Sequence, residues 1–219
     1  MARGVKSEMP EKKRTYVSAK RDQQATATRW AIIEAAQRLF VANGFSATSV
    51  QAIADEAGVA VQTVYAVFRS KRELLMQLIE VAITGDDEPD AITERPESVA
   101  LRSERDPHRR AAMAAKVSRA IVERVGPIVR VASEAAASDP DFAPLYDAMR
   151  AVRRDEMTAS AKLVGGSDLR VSAQNAAATL YVLYSPQVAD MLVGDYGWSF
   201  DRYEKWLADA IERLLLSQG

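Results

Sequence analysis

The chain has 219 residues, 48% apolar and 27% charged, with aromatics at 7% and no cysteine. Such a composition, rich in alanine and leucine, suits packed helices. It excludes disulfide frameworks, thiolate metal sites and thiol nucleophiles, and a lone histidine, His108, gives no basis for a His-built metal centre or triad. The net charge of −1 hides an asymmetry: residues 1–21 hold seven Lys/Arg against Glu8 and Glu11, residues 22–75 are balanced, and residues 76–219 are acidic. A basic head on an acidic body points to a polyanionic partner at the head. No apolar run is long enough to cross a bilayer, and the basic N-terminus lacks a secretory apolar stretch. A cytoplasmic protein without metal or cofactor is expected.

Residues 1–21 show no helical periodicity and read as a flexible arm. From Trp30, the residues Ile32, Ile33, Ala36, Leu39 and Phe40 recur at helical spacing, and Asn43-Gly44 closes the segment. Thr48 to Gln51 reads as a capping box. Val50, Ile53, Ala54 and Ala57 then predict a helix of about two turns ending at Gly58. A second short helix is expected over 61–68, with Val64 and Phe68 on one face. Ser70 to Glu73 is another capping box and opens a longer helix bearing Leu74, Leu75, Leu78, Ile79 and Ala82. Gly85 to Pro96 reads as an acidic loop. Beyond Pro107 the pattern is helical: 107–137 with a kink at Gly126-Pro127, 140–164, a helix from Ser172 kinked near Ser185-Pro186, and a last helix from Ser199 with the stripe Tyr203, Trp206, Leu207, Ala210, Ile211, Leu214 and Leu215. No segment alternates long enough to argue a strand. The fold class is all-α.

Two short helices joined across a glycine, with a capped helix on either side, describe a helix-turn-helix. The turn needs Gly58, and Ile53, Ala57, Val59 and Val64 supply the shared apolar face. That leaves Gln62 and Thr63 outward, with Tyr65 beside them. Gln can bond adenine at two points, and Thr can meet a phosphate or a thymine methyl. An ordinary helical hairpin within a core would show much of the same pattern.

The stretch TSVQAIADEAGVAVQTVYAVFRSKRELL (Thr48–Leu75), preceded by Phe40, Gly44 and Phe45, resembles the TetR family of bacterial transcriptional regulators, over about residues 30–75. The resemblance implies a homodimer, with an N-terminal three-helix helix-turn-helix unit followed by a helical ligand-binding and dimerisation domain. The corresponding division is a basic arm over 1–21, a DNA-binding domain over 22–69 and the body over 70–219. It implies that Thr48 caps its helix and touches a phosphate, that Gln62 and Thr63 meet DNA, that Tyr65 packs on the sugar-phosphate backbone, and that Lys71 binds phosphate. The chain departs from the family pattern at Ala60, Val61 and Gln62, where Ser, Lys and Gly are common, and at Ala66 and Val67, where cationic or polar residues are frequent. Losing an N-cap side chain at 60 costs about 0.5–2 kcal/mol. Apolar Ala60, Val61 and Ala66 suggest contact with thymine methyls. The lost cations suggest compensation by Lys12, Lys13, Arg14, Lys20 and Arg21, placed in an adjacent minor groove.

In the body, Met113, Val117, Ile121, Phe142, Leu145, Met149, Tyr181 and Tyr184 are candidates for lining an apolar effector pocket, although a plain helical core would show the same periodicity. Ala176, Leu180, Leu183, Trp206, Ala210, Ile211 and Leu214, on the last two helices, are candidates for an isologous four-helix dimer face. The reading is a ligand-responsive dimeric regulator, a repressor released from a palindromic DNA operator by a small apolar effector. The alternatives are a helical small-molecule carrier without DNA binding and, more remotely, an acid/base enzyme using Asp139, Asp141, Asp155 or Glu156. These four are spaced like solvated helix charges, so no enzyme is expected.

Overall fold

The computed structural model describes residues 11–85 and 96–217, with side chains from Asp22 onward. Ten α-helices follow one another among the described residues: α1 Glu11–Ala47, α2 Val50–Ala57, α3 Val61–Val67, α4 Lys71–Thr84, α5 Pro96–Ser103, α6 Pro107–Ser138, α7 Ala143–Val164, α8 Ala173–Leu183, α9 Pro186–Ala189 and α10 Phe200–Leu215. A π-helical stretch, Asp190–Asp195, continues α9. The nearest approach to a sheet among the described residues is an antiparallel bridge, Leu169 to Leu216. The all-α class holds.

Local chemistry sets most boundaries. Gly44 has φ +79, outside helical space, and turns the chain at the end of the long first helix. Gly58 has φ +67, where a side chain would be strained, and its N–H reaches back to the Ala54 and Asp55 carbonyls. Ser70 accepts from the Glu73 N–H at 3.1 Å, Ser172 from Asn175 at 3.2 Å, and Ser199 from Arg202 at 3.1 Å. Each satisfies an orphan donor of the first turn. Asp106 does the same for His108 and Arg109, and those two backbone donors hold its carboxyl below the usual aspartate range.

Two expectations are corrected, at residues 11–21 and after Ser172. The backbone of residues 11–21 is helical and continuous with α1, not an irregular arm. The helix expected over 107–137 is found as α6, with Pro127 inside it. The helix from Ser172 stops at Tyr184 and restarts at Pro186, because Ser185 caps a new turn through the Gln187 N–H. The short α5, opened by Pro96, falls at the edge of the segment read as loop. The remainder of that segment, residues 86–95, and Met1 to Pro10 lie outside the described residues.

Two apolar clusters organise the chain. The first contains Ile32, Ile33 and Phe40 of α1, Ile53 of α2, Val64 of α3, Leu74, Leu75, Leu78 and Ile79 of α4, Val125, Ile128 and Val131 of α6, and Phe142 and Tyr146. The second joins α6, α7, α8 and α10 through Ala115, Val122, Met157, Leu180, Tyr203, Leu207 and Ile211. Each fully buried Ile, Leu or Phe contributes roughly 1.5–3 kcal/mol by leaving water. The first cluster crosses residue 70, so α1–α4 and α6 share one core. At the far end of α4, Arg124 of α6 donates to the carbonyls of Ala82 (3.2 Å) and Ile83 (3.3 Å) and occupies the negative end of the helix.

Candidate nucleic-acid interface

The apolar residues of α2 and α3 fix which way α3 faces. Val64 is 2% exposed and Phe68 1%, while Gln62, Tyr65 and Ala66 stand toward solvent more than Val61 and Thr63 taken with that buried pair; Gln62 and Tyr65 are exposed. Tyr65 is 51% exposed, too much for a tyrosine serving the core. The turn is closed by Val59 N–H to Ala54 O at 3.0 Å, and α3 is opened by Thr63 N–H to Ala60 O at 2.9 Å. Ala60 has the extended backbone of an N-cap (φ −74, ψ 148) but no side chain to use there, as its sequence position implies. The result is a seven-residue rod with its polar side outward, the geometry that entry into a major groove requires.

Two residues behave differently from expectation. Ser49, not Thr48, caps α2, accepting from the Ala52 N–H at 3.0 Å. Thr48 is 2% exposed, and its hydroxyl faces the Gly44 and Leu39 carbonyls at 2.8 and 3.2 Å; it ties off the end of the first helix and has no hydroxyl to offer a phosphate. Gln51, the expected capping-box partner, pairs with Asp55 at 2.7 Å. Lys71 is turned inward: its Nζ donates to Phe45 O (2.8 Å) and Thr48 O (2.9 Å) and lies 4.2 Å from the centre of the Phe45 ring. Burial holds its pKa below the ordinary lysine value, partly opposed by Asp139. Two of its three N–H groups are thereby committed, and one remains. The backbone positions of Lys12, Lys13, Arg14, Lys20 and Arg21 lie on the N-terminal extension of α1.

Sequence reasoning missed Arg72. Its guanidinium grips Asp139 at two points (Nε–Oδ2 2.8 Å, Nη2–Oδ1 2.9 Å) and reaches Asp141 at 2.9 Å. The bond from Arg72 holds the Asp139 carboxyl below the usual range. A signal was present: two cations, Lys71 and Arg72, sit at the positive end of α4, which is unfavourable unless an anion is supplied nearby. Asp139 and Asp141 are thus both partners of the Arg72 guanidinium.

The candidate pocket residues are not brought to one place. Phe142, Ile121 and Met149 belong to the first cluster; Met113, Tyr181 and Tyr184 belong to the second; Leu145 is 42% exposed. Near Tyr181 there is a polar feature. Arg153 donates to the Tyr181 carbonyl at 2.9 Å and sits 4.3 Å from its ring centre. The neighbouring Tyr184 hydroxyl is buried with no partner, and burial pushes its pKa up. Tyr203, whose hydroxyl donates to Leu183 O at 3.1 Å, is pushed up to about 12 by the same desolvation. Among the dimer candidates, Ala176, Leu180 and Ile211 are fully buried and Leu183 is 6% exposed. They pack within the protomer and offer nothing to a partner. Trp206 and Ala210 are half-buried, and Leu214 is 45% exposed. Val182 on α8 (57%) and Met191 (50%) are exposed as well, which periodicity does not disclose. Among the described residues, no acidic or His cluster is placed to hold a metal, and no helix is long and apolar enough to cross a membrane.

A four-helix head with an outward α3, docked on a larger helical body, defines a helix-turn-helix protein. Residues 32–78 match the family model of bacterial regulatory proteins, tetR family. The match lies on the helix-turn-helix unit, which is similar to that family's N-terminal unit. Solved structures share the whole architecture. A regulator from Saccharomonospora viridis, solved with choline, is 18% identical with a TM-score of 0.64, covering 87% of this chain and 98% of its own. The SmeT–triclosan complex is 20% identical, TM-score 0.64, covering 88% and 93%. Native NalD, the secondary repressor of the MexAB-OprM multidrug efflux pump in Pseudomonas aeruginosa, is 20% identical, TM-score 0.61, covering 89% and 100%. At such identities the likeness establishes the fold. No curated protein matches the chain.

Proposed function

We propose that this chain is a cytoplasmic, homodimeric transcriptional repressor that inserts α3 of each protomer into successive major grooves of a palindromic operator and releases it on binding a small effector. The observation that carries the reading is the outward face of α3, with Gln62 and Tyr65 exposed beside a buried Val64, in a segment matching a family of bacterial regulators. Gln62 and Thr63 read base edges, with Ala60, Val61 and Ala66 against thymine methyls. Tyr65 and the remaining N–H of Lys71 meet the backbone. Two recognition helices must then sit about 34–36 Å apart. The basic residues from Lys12 to Arg21 add phosphate contacts from a helical extension. From Glu11 to Asp22 that extension rises about 16 Å, long enough to follow the DNA backbone past one groove wall.

The dimer face is drawn from what the protomer leaves uncovered on its last third: Val182, Trp206, Ala210 and Leu214. The effector reading is supported by relatives of the same fold solved with choline and with triclosan, and repression by NalD, itself a repressor. In this chain the body offers Met113, Tyr181 and Tyr184, with Arg153 adding a polar handle to a mostly apolar ligand.

A gel-shift with the DNA flanking the gene tests the reading. Wild type shifts a discrete fragment, and Gln62→Ala weakens the shift by about 1–3 kcal/mol, the worth of a two-point base contact. Absence of any sequence-dependent shift overturns it.

A further inference from the structure

Near the end of α8 the second core holds polar groups that the protomer leaves unsatisfied. Arg153 of α7 lies against Tyr181: it donates to the Tyr181 carbonyl at 2.9 Å, and its guanidinium sits 4.3 Å from the ring centre. Burial lowers its pKa, so the cation is held partly out of water. Among the described residues no carboxylate lies within ion-pair distance of it. Other arginines of the body are supplied with one. Arg150, on the preceding turn, has Asp147 at 3.7 Å, while Arg110 has Asp168 at 2.8 Å and Arg130 has Asp190 at 2.7 Å. One turn beyond Tyr181, the Tyr184 hydroxyl is buried and has no partner. Tyr203 is the common neighbour of the two groups: its hydroxyl donates to Leu183 O at 3.1 Å, feels the Arg153 charge and acts on Tyr184.

Both groups are costly in the empty protein. A half-buried cation without an anion and a buried hydroxyl without an acceptor each lose hydration that nothing returns. Their surroundings define the ligand that returns it. Tyr181 and Tyr184 pack in the second apolar cluster with Met157, Leu180 and Leu183, so the bulk of such a ligand is apolar. The backbone next to Tyr184 is not a continuous α-helix: α8 ends there, α9 has four residues, and a π-helical stretch follows from Asp190. Interruptions of this kind recur at functional sites. One uncompensated cation calls for one negative charge. A carboxylate matches the planar guanidinium with two oxygens and keeps lone pairs for a phenol O–H. The acidic balance of residues 76–219 disfavours a doubly charged phosphate.

We propose that the effector of this protein is an apolar monocarboxylic acid, its carboxylate on Arg153 and the Tyr184 hydroxyl and its hydrocarbon body in the second cluster. The inference rests on the effector reading above and names the chemistry of that ligand. It is tested on the full-length chain without DNA. Octanoate and phenylacetate are titrated at neutral pH by calorimetry, with octanamide and phenylacetamide as uncharged counterparts. Wild type binds at least one acid about tenfold or more tighter than its amide, as charge-assisted hydrogen bonds require. Arg153→Met, with helical content retained, abolishes that preference, and Arg153→Lys keeps part of it. Tyr184→Phe weakens acid binding by about threefold to tenfold. The empty Tyr184→Phe protein melts no lower than wild type, because the hydroxyl it removes has no partner. Arg154→Gln, an exposed neighbour on the same helix, leaves acid affinity unchanged. Neither acid binding, an amide bound as well as its acid, a preference that survives Arg153→Met, or an equal loss in Arg154→Gln overturns the proposal. A lower melting temperature in Tyr184→Phe overturns the part given to that hydroxyl. A chain that binds the acid and no operator keeps the site and loses the regulator reading, whereas one that binds operator and neither acid keeps the regulator and loses the site.

Discussion

Lys71 lies with its ammonium 4.2 Å from the centre of the Phe45 ring while donating to the Phe45 carbonyl at 2.8 Å. One side chain of α4 thereby closes the end of the first helix and, through Thr48 O, the start of α2. A residue that the family resemblance assigns to phosphate is first of all a strut. Hydrogen bonds from a charged donor are worth about 1.5–3 kcal/mol each, so Lys71→Met is expected to lower unfolding free energy by about 2–4 kcal/mol. Urea denaturation checks this; an unchanged midpoint would make the strut incidental.

Ala60 has the backbone of an N-cap without the side chain. Ala60→Ser supplies an acceptor for the first-turn N–H groups of α3 and should stabilise the protein by about 0.5–2 kcal/mol. Thermal melting followed by circular dichroism reads the gain.

Core and face can be separated by substitution. Ile53 is fully buried under α3, and Ile53→Ala should cost about 2–5 kcal/mol. Tyr65→Ala, at an exposed site, should change stability by no more than about 0.5 kcal/mol while weakening DNA binding. A comparable stability loss at both positions would mean that α3 faces inward.

The Arg72–Asp139 pair has a defined pH window. The folded pKa of Asp139 lies below its ordinary value of 3.8, so its stabilising contribution is fully present above that value and is lost as pH falls through the folded pKa. Wild type should therefore exceed Asp139→Asn in stability at neutral pH, and the two should converge only as pH falls through the lowered pKa of Asp139, below its ordinary 3.8. A difference that persists at low pH would assign the effect to packing.

Deleting residues 1–21 should weaken operator binding and flatten its salt dependence, by about 0.9 in log–log slope for each phosphate no longer neutralised. An identical slope would leave the N-terminal basic residues without a role on DNA.

What the sequence disclosed, and what it did not, follows from the range of the forces involved. The boundaries of α2, α3, α4 and α10 rest on Gly58, Ser70 and Ser199, whose effects act within one turn, and they were legible. The capping box points to Thr48 as the cap of α2, whereas Ser49 takes that role because the Thr48 hydroxyl is committed to the Gly44 and Leu39 carbonyls, a tertiary contact that no local pattern discloses. The apolar positions Ala176, Leu180, Leu183 and Ile211 announced burial correctly but not against what, since periodicity identifies a buried face and never its partner. Arg72 and Asp139 are separated by 67 residues, and no local pattern joins them beyond the misplaced cations at the head of α4.

The most direct measurement is a footprint of the full-length protein on the DNA flanking its gene, combined with the mass of the complex. Two protomers protecting two inverted half-sites one helical turn apart, with protection lost in Gln62→Ala, is the predicted result. A single protomer bound, or protection that ignores both sequence and Gln62, would contradict it.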